Sequence, residues 1–173
     1  LLATKVSFIN EFANFCEKVS SHSGETVDIT EVKLSIGLDK RIGPHFLNPG
    51  CGFGGSCFPK DVNAVIAQAK SIGYNLSILD AVMSVNKSQP YRMIELTKEA
   101  VGEDLKNKKI GVLGLAFKPD TDDIREARST KIINQLLREG AKIIAYDPMA
   151  MPNVKKVFKE KIKYASSPTK CVE

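Results

Sequence analysis

Ile110-Gly-Val-Leu-Gly-Leu-Ala116 is a short apolar run, and a second, Ala141 to Tyr146, lies just ahead of Asp147-Pro148. Between them Phe117 to Arg128 reads as a loop, Ser129 as the cap of a helix through Arg138, and Gly140 as its end. Apolar runs of this length bounded by Gly and Pro read as buried strands, so the segment is a strand–loop–helix–strand unit. Such a unit opens a doubly wound, Rossmann-like α/β domain. Two strands are too few to bury both faces of a parallel sheet, so the domain reads as partial. Beyond it, only a short helix near Val154 to Phe158 is expected.

The period of the apolar residues differs upstream. Leu2, Val6, Ile9, Ala13 and Cys16 recur at helical steps, and Phe8, Phe12, Phe15 and Val19 widen the stripe, so the helix is covered on more than one side. No capping residue precedes Leu1, which leads us to expect a chain that starts in mid-helix. Asp28-x-x-Glu31 resembles a capping box for a short helix through Ile36, closed by Gly37. Leu38 to Ser56 is a loop with five glycines and two prolines, a length and composition that suit function. Helices follow over Pro59 to Ser71 and over Leu76 to Val101, the latter broken or bent near Pro90. The expected division is a helical central domain, 1–104, and a partial α/β domain, 105–173.

Bulk properties exclude several classes. The 173 residues are 43% hydrophobic and 26% charged, as in a globular protein. No apolar run approaches the roughly 20 residues of a membrane span, and no signal peptide is recognisable, so a cytoplasmic location with no membrane partner is expected. The net charge of +5 invites an anionic partner, but the lysine clusters lack interleaved aromatics and no nucleic-acid motif occurs. Four cysteines and two histidines without a C-x-x-C pair give a metal site no support.

The chemistry lies in Asn48-Pro-Gly-Cys-Gly-Phe-Gly-Gly-Ser-Cys-Phe-Pro-Lys-Asp61. Gly50, Gly52, Gly54 and Gly55 allow positive φ and close approach to a ligand. Pro59 is a favoured residue for a first helical turn, so Cys57 is expected at the positive end of a helix, where N–H groups favour a thiolate. Lys60 adds a cation, and Asp61, one turn after Cys57, can face the same side. A thiolate adds to an aldehyde, the adduct loses hydride to give a thioester, and a carboxylate handles the water that cleaves it. The plain alternative is an inert, buried cysteine after a flexible loop.

The string Gly54-Gly-Ser-Cys57-Phe-Pro-Lys-Asp61 resembles the active-site signature of the UDP-glucose/GDP-mannose dehydrogenase family. Phe58 is similar to the UDP-glucose branch, whereas GDP-mannose enzymes tend to carry Leu there; Ser56 argues against the N-acetylmannosamine branch. Gly37-Leu-Asp-Lys-Arg-Ile-Gly43 with Phe46-Leu47 resembles the family's substrate loop, and Gly114-Leu-Ala-Phe-Lys-Pro-Asp-Thr-Asp-Asp-Ile-Arg-Glu126 the start of its C-terminal domain.

The resemblance implies the two-step oxidation of UDP-glucose to UDP-glucuronate with NAD. It implies that Cys57 is the covalent nucleophile, Asp61 its water-handling partner and Lys60 a helper. Arg41 would reach a neighbouring subunit's sugar nucleotide, with Phe46, Leu47, Gly50 and Gly54 walling the substrate and Phe117 and Lys118 closing over it. Ser56 and Arg125 would touch the cofactor. A homodimer through the central helices is also implied, as are an N-terminal cofactor domain upstream of Leu1 and further UDP-binding residues after Glu173. Three rivals stand beside this reading: GDP-mannose oxidation by the same chemistry, a non-catalytic dimerisation or nucleotide-sugar-binding module, and a basic nucleic-acid binder.

Overall fold

A computed structural model describes residues 1–173, which divide into two compact units: Leu1–Gly52 with Val62–Gln89, and Phe53–Asp61 with Pro90–Glu173. The elements run α1 (Leu2–Ser23), α2 (Ile29–Gly37), α3 (Phe58–Ser71), α4 (Ser77–Val101), β1 (Lys109–Leu113), α5 (Arg128–Arg138), β2 (Lys142–Tyr146), α6 (Met151–Phe158), β3 (Lys163–Tyr164) and α7 (Pro168–Val172). The class is α/β. No helix is long and apolar enough to cross a membrane.

The first unit is helical, and polar side chains fasten it. Ser7 Oγ on α1 donates to the Val82 carbonyl on α4 at 2.8 Å, and Asn14 Nδ2 donates to Gln89 Oε1 at 2.8 Å. Ile9, Asn10, Leu47 and Asn86 are each 2% exposed or less. Asn10 Oδ1 accepts from the Gly50 N–H at 2.7 Å while Gln89 Nε2 donates to the Gly50 carbonyl at 2.9 Å. The glycine loop is therefore held by its backbone, which any side chain at position 50 would leave intact. Asp28 caps α2 by accepting the Thr30 N–H, a simple N-cap in place of the capping box expected with Glu31.

The helix α4 continues through Pro90. Proline has no N–H to give the carbonyl four residues back. That carbonyl belongs to Asn86, and Gly52 lies against it: a Cβ at Gly52 would sit 3.3 Å from the Asn86 oxygen and 2.5 Å from its side-chain Oδ1. Gly52 also has φ +94, so the position requires glycine on both counts.

The second unit holds a parallel sheet in the order β1-β2-β3, with Lys109 opposite Lys142, Leu113 opposite Tyr146 and Ile144 opposite Lys163. Its core joins Leu105, Leu115, Ile133, Leu136, Ile143 and Phe158, all at most 2% exposed. Burial of large aliphatic and aromatic side chains, roughly 1.5–3 kcal/mol each, is the main favourable term here.

Three local details differ from the sequence reading. The sheet has a third strand, β3, and α7 follows it, where two strands were expected. Strand β1 ends at Leu113 rather than Ala116, because Gly114 turns the chain at φ +87. Ser129 does not cap α5; the N-cap is Ala127, and Ser129 Oγ donates to the Leu115 carbonyl at 2.7 Å instead.

Candidate active site

Helix α3 begins at Phe58, so Cys57 is the residue just ahead of its first turn. The Cys57 carbonyl accepts the Asp61 N–H at 2.8 Å, the first α-helical bond. The thiol itself is exposed, whereas Cys16 and Cys171 are buried and Cys51 is half-buried. Burial pushes the Cys51 thiol up, keeping it protonated at neutral pH. All four cysteines are free, Cys51 and Cys57 included. Ser56 Oγ lies 3.8 Å from Cys57 Sγ.

Lys60 and Asp61 are both exposed, and Lys60 Nζ is 3.5 Å from Asp61 Oδ1. The cation and carboxylate singled out beside the cysteine thus pair with each other. Pro59 is buried in the first turn, and Phe53 meets Phe58 edge-on with ring centroids 5.7 Å apart.

Two glycines fix the cysteine segment against the loop that joins β1 to α5. A Cβ on Gly54 would lie 2.3 Å from the Glu126 carbonyl oxygen, and one on Gly55 would lie 2.7 Å from the Phe117 ring. The Gly55 N–H donates to the Arg125 carbonyl at 2.9 Å, and Gly55 has φ +77. Phe117 in turn donates its N–H to the Asp123 carbonyl at 3.0 Å. Arg125 lies within electrostatic range of Cys57. Phe117, Lys118 and Arg125, named for ligand contacts, are therefore brought together with Cys57 in one unit. Lys118 Nζ sits 5.5 Å from the centroid of the Phe117 ring.

In the first unit, Arg41 is exposed and paired with Asp39, which raises the arginine above its ordinary value through their side-chain bonds. Phe46 has φ 64, a left-handed conformation that a bulky residue rarely adopts. Strain of about 1–3 kcal/mol at such a residue accumulates at ligand sites. Leu47 is 2% exposed and belongs to the packed interior, while Gly50 is open, with nothing within 4 Å of an added Cβ.

Several residues that hold these positions escaped the sequence reading: Asn10, Asn86 and Gln89 around the glycine loop, and Asp147 at the end of β2. Asp147 is 6% exposed, and its carboxylate accepts from Leu115 N (2.7 Å), Ala116 N (3.3 Å), Met149 N (2.8 Å) and Ala150 N (2.7 Å). Burial alone would push this carboxyl up, but the four amide bonds outweigh it and hold it below the usual range. The only sequence signal was Asp147-Pro148 as a strand end, which does not reveal an acceptor.

The β1 loop does not fit a dinucleotide. Its amides at Leu115 and Ala116 already serve Asp147. Gly111 lies within β1, where a Cβ would be 2.7 Å from the Cys171 carbonyl oxygen, so this glycine serves the packing of α7 on the strand. Of the two residues expected to touch the cofactor, Arg125 is exposed and Ser56 half-buried.

Residues 1–88 match the model of the UDP-glucose/GDP-mannose dehydrogenase family, central domain, and residues 111–173 match the UDP binding domain of the same family. The chain is 48% identical over 166 residues to UDP-glucose 6-dehydrogenase AglM of Haloferax volcanii, covering 96% of this chain and 36% of that protein. It is 44% identical to UDP-glucose 6-dehydrogenase TuaD of Bacillus subtilis, covering 94% of this chain and 34% of the relative. A solved UDP-glucose dehydrogenase from Pyrobaculum islandicum superposes with a TM-score of 0.92 at 41% identity, over 99% of this chain and 38% of that one. The chain thus spans about a third of the length of these relatives. From its helical first unit through its parallel sheet, the chain belongs to the UDP-glucose/GDP-mannose dehydrogenase family.

Proposed function

We propose that this chain carries the nucleophile and part of the sugar-nucleotide site of a cytoplasmic UDP-glucose 6-dehydrogenase, which oxidises UDP-glucose to UDP-glucuronate. The observation that carries the reading is the Cys57 thiol, the one exposed cysteine of four, set at the start of α3. When bound, NAD supplies the acceptor for the two hydrides that this four-electron oxidation releases.

The roles of the chain's own residues are those the family resemblance implies. The Cys57 thiolate adds to the C6 aldehyde carbon, and the new C–S bond keeps the aldehyde tethered until that carbon reaches the thioester level. Helix N-terminal N–H groups and the nearby Arg125 guanidinium are the positive groups available to the sulfur as it attacks. Asp61 takes a proton from the water that cleaves the C–S bond, which yields the carboxylate and returns the thiol; Lys60, paired with it, is a helper in the same step. In the first unit Arg41 reaches a phosphate of a neighbouring subunit's sugar nucleotide, and Phe46, Leu47 and Gly50 are its substrate-binding candidates; in the second unit they are Gly54, Phe117 and Lys118. Ser56 and Arg125 contact the cofactor.

A homodimer through α1 fits this reading. Phe8, Phe12 and Phe15 are 39%, 37% and 62% exposed on that helix, a patch that water penalises and a second copy would cover.

The test is turnover by the full-length protein on UDP-glucose and GDP-mannose, with Cys57→Ser beside the parent. UDP-glucose is expected as the preferred substrate, and Cys57→Ser is expected to lower kcat by roughly 10³-fold or more. A serine variant within tenfold of the parent would overturn the reading.

A further inference from the structure

Two arginines of this chain end the same short motif, Asp39-Lys40-Arg41 and Asp123-Ile124-Arg125. In both, the aspartate Oδ1 accepts the backbone N–H of the arginine two residues on, at 2.9 Å. The same carboxylate then takes the arginine side chain. Nε donates to Oδ1 and Oδ2 at 3.0 and 3.2 Å in the first motif and at 3.0 and 3.0 Å in the second. Nη2 donates to Oδ2 in each. Two loops of different sequence and different units thus build one fork.

What the fork leaves open is as regular as what it holds. Nη1 makes no bond in either arginine, and the side chains are 88% and 69% exposed, while the aspartates are 33% and 19% exposed. The remaining arginines with acidic partners differ: Arg92 lies along its helix against Glu95 and Glu99 with 15% exposure, and Arg128 is buried. A free surface arginine samples many rotamers and must lose that freedom to clasp a phosphate. An arginine already held through Nε and one Nη has lost it beforehand.

We propose that Asp39 and Asp123 are positioning residues, each fixing its arginine in an extended pose whose free Nη edge clasps a phosphate of a nucleotide ligand. This rests on the reading above, in which Arg41 takes the sugar nucleotide and Arg125 the dinucleotide. The aspartate also sets a negative charge beside the arginine, which gives the proposal a distinctive sign. If the arginines acted only as diffuse positive charge, neutralising the aspartates would tighten anion binding. If the aspartates position them, the same change weakens it.

The experiment is calorimetric binding of UDP-glucose and of NAD⁺, each alone, to the full-length protein and its Asp39→Asn, Asp123→Asn, Arg41→Ala and Arg125→Ala variants. Asparagine retains an oxygen for the backbone N–H, so the turn survives and only the ionic fork is lost. Asp39→Asn is expected to weaken UDP-glucose roughly 3- to 10-fold with NAD⁺ unchanged, and Asp123→Asn to do the converse. Arg41→Lys and Arg125→Lys keep the charge but cannot form the fork, and are expected to lose as much. Should the alanine variants weaken binding while the asparagine variants bind equally or more tightly, the positioning role is overturned and the parent reading stands. Should the alanine variants bind both ligands normally, the parent reading of the two arginines is what fails.

Discussion

The second unit contains two glycine-rich segments, Phe53–Asp61 and Ile110–Ala116, and they end in opposite conditions. In the first, Gly54 and Gly55 press their backbone onto Glu126 and Phe117, and the segment finishes with an exposed thiol at the start of α3. In the second, Gly111 presses onto Cys171, and the amides of Leu115 and Ala116 are consumed by the Asp147 carboxylate. Glycine serves close approach in both. The difference is what the approach is for: one segment is docked so that its next residues face outward, the other is sealed by a carboxylate of its own domain. A glycine string is therefore a statement about packing space, and only the residues around it say whether the space takes a ligand.

The contrast can be broken at Gly54. Gly54→Ala brings a Cβ to 2.3 Å from the Glu126 carbonyl, so the segment must shift. We expect a loss of roughly 10²-fold in kcat, since a displacement of about 1 Å at a reacting group costs that much. Steady-state kinetics on the full-length protein, with melting temperature as a control for folding, would read it. An alanine variant with parental kinetics would mean the docking of the segment is irrelevant to the chemistry.

At the sealed segment the expected effect is on stability. Asp147→Asn offers one acceptor where the carboxylate satisfied four N–H groups, and should cost about 2–3 kcal/mol in urea unfolding. The pH dependence follows from the lowered native value of Asp147. Because the native carboxyl is harder to protonate than the unfolded one, its contribution is complete above the unfolded value, about 4. It fades as pH falls through the native value, so the gap between parent and Asp147→Asn should shrink at lower pH. A gap that stays constant down to pH 2 would contradict this account of the seal.

The smallest effect is expected at Gly50. Nothing lies within 4 Å of a Cβ there and its φ is not positive. Gly50→Ala should change stability by no more than about 0.5 kcal/mol. Any accompanying rise in KM for the sugar nucleotide would then report a ligand pressing on that position from outside; an unchanged KM would remove Gly50 from the proposed substrate wall.

Much of this was legible in the sequence, for identifiable reasons. Strands β1 and β2 and helix α5 stand between glycines and an Asp-Pro pair that punctuate them. Cys57 is legible as a helix-start residue because Pro59 follows it. Strand β3 was not, since Lys163-Tyr164 is two residues long and has no alternation to read. Asn10, Asn86 and Gln89 were not, because amide side chains on helices look like surface positions until a loop backbone is seen against them. Asp147 and the two aspartate–arginine forks share that character. Each is a polar residue whose partner is a backbone or a bond geometry, and composition carries no trace of either.

Peptide mass spectrometry of the full-length protein, acid-quenched during turnover of UDP-glucose with NAD⁺ in an Asp61→Ala variant that slows hydrolysis, would test the role of the sulfur most directly. The expected result is a UDP-glucuronyl thioester on the peptide carrying Cys57, with Cys16, Cys51 and Cys171 unmodified. Turnover that proceeds with Cys57 unmodified, or an adduct on any other residue, would contradict the account.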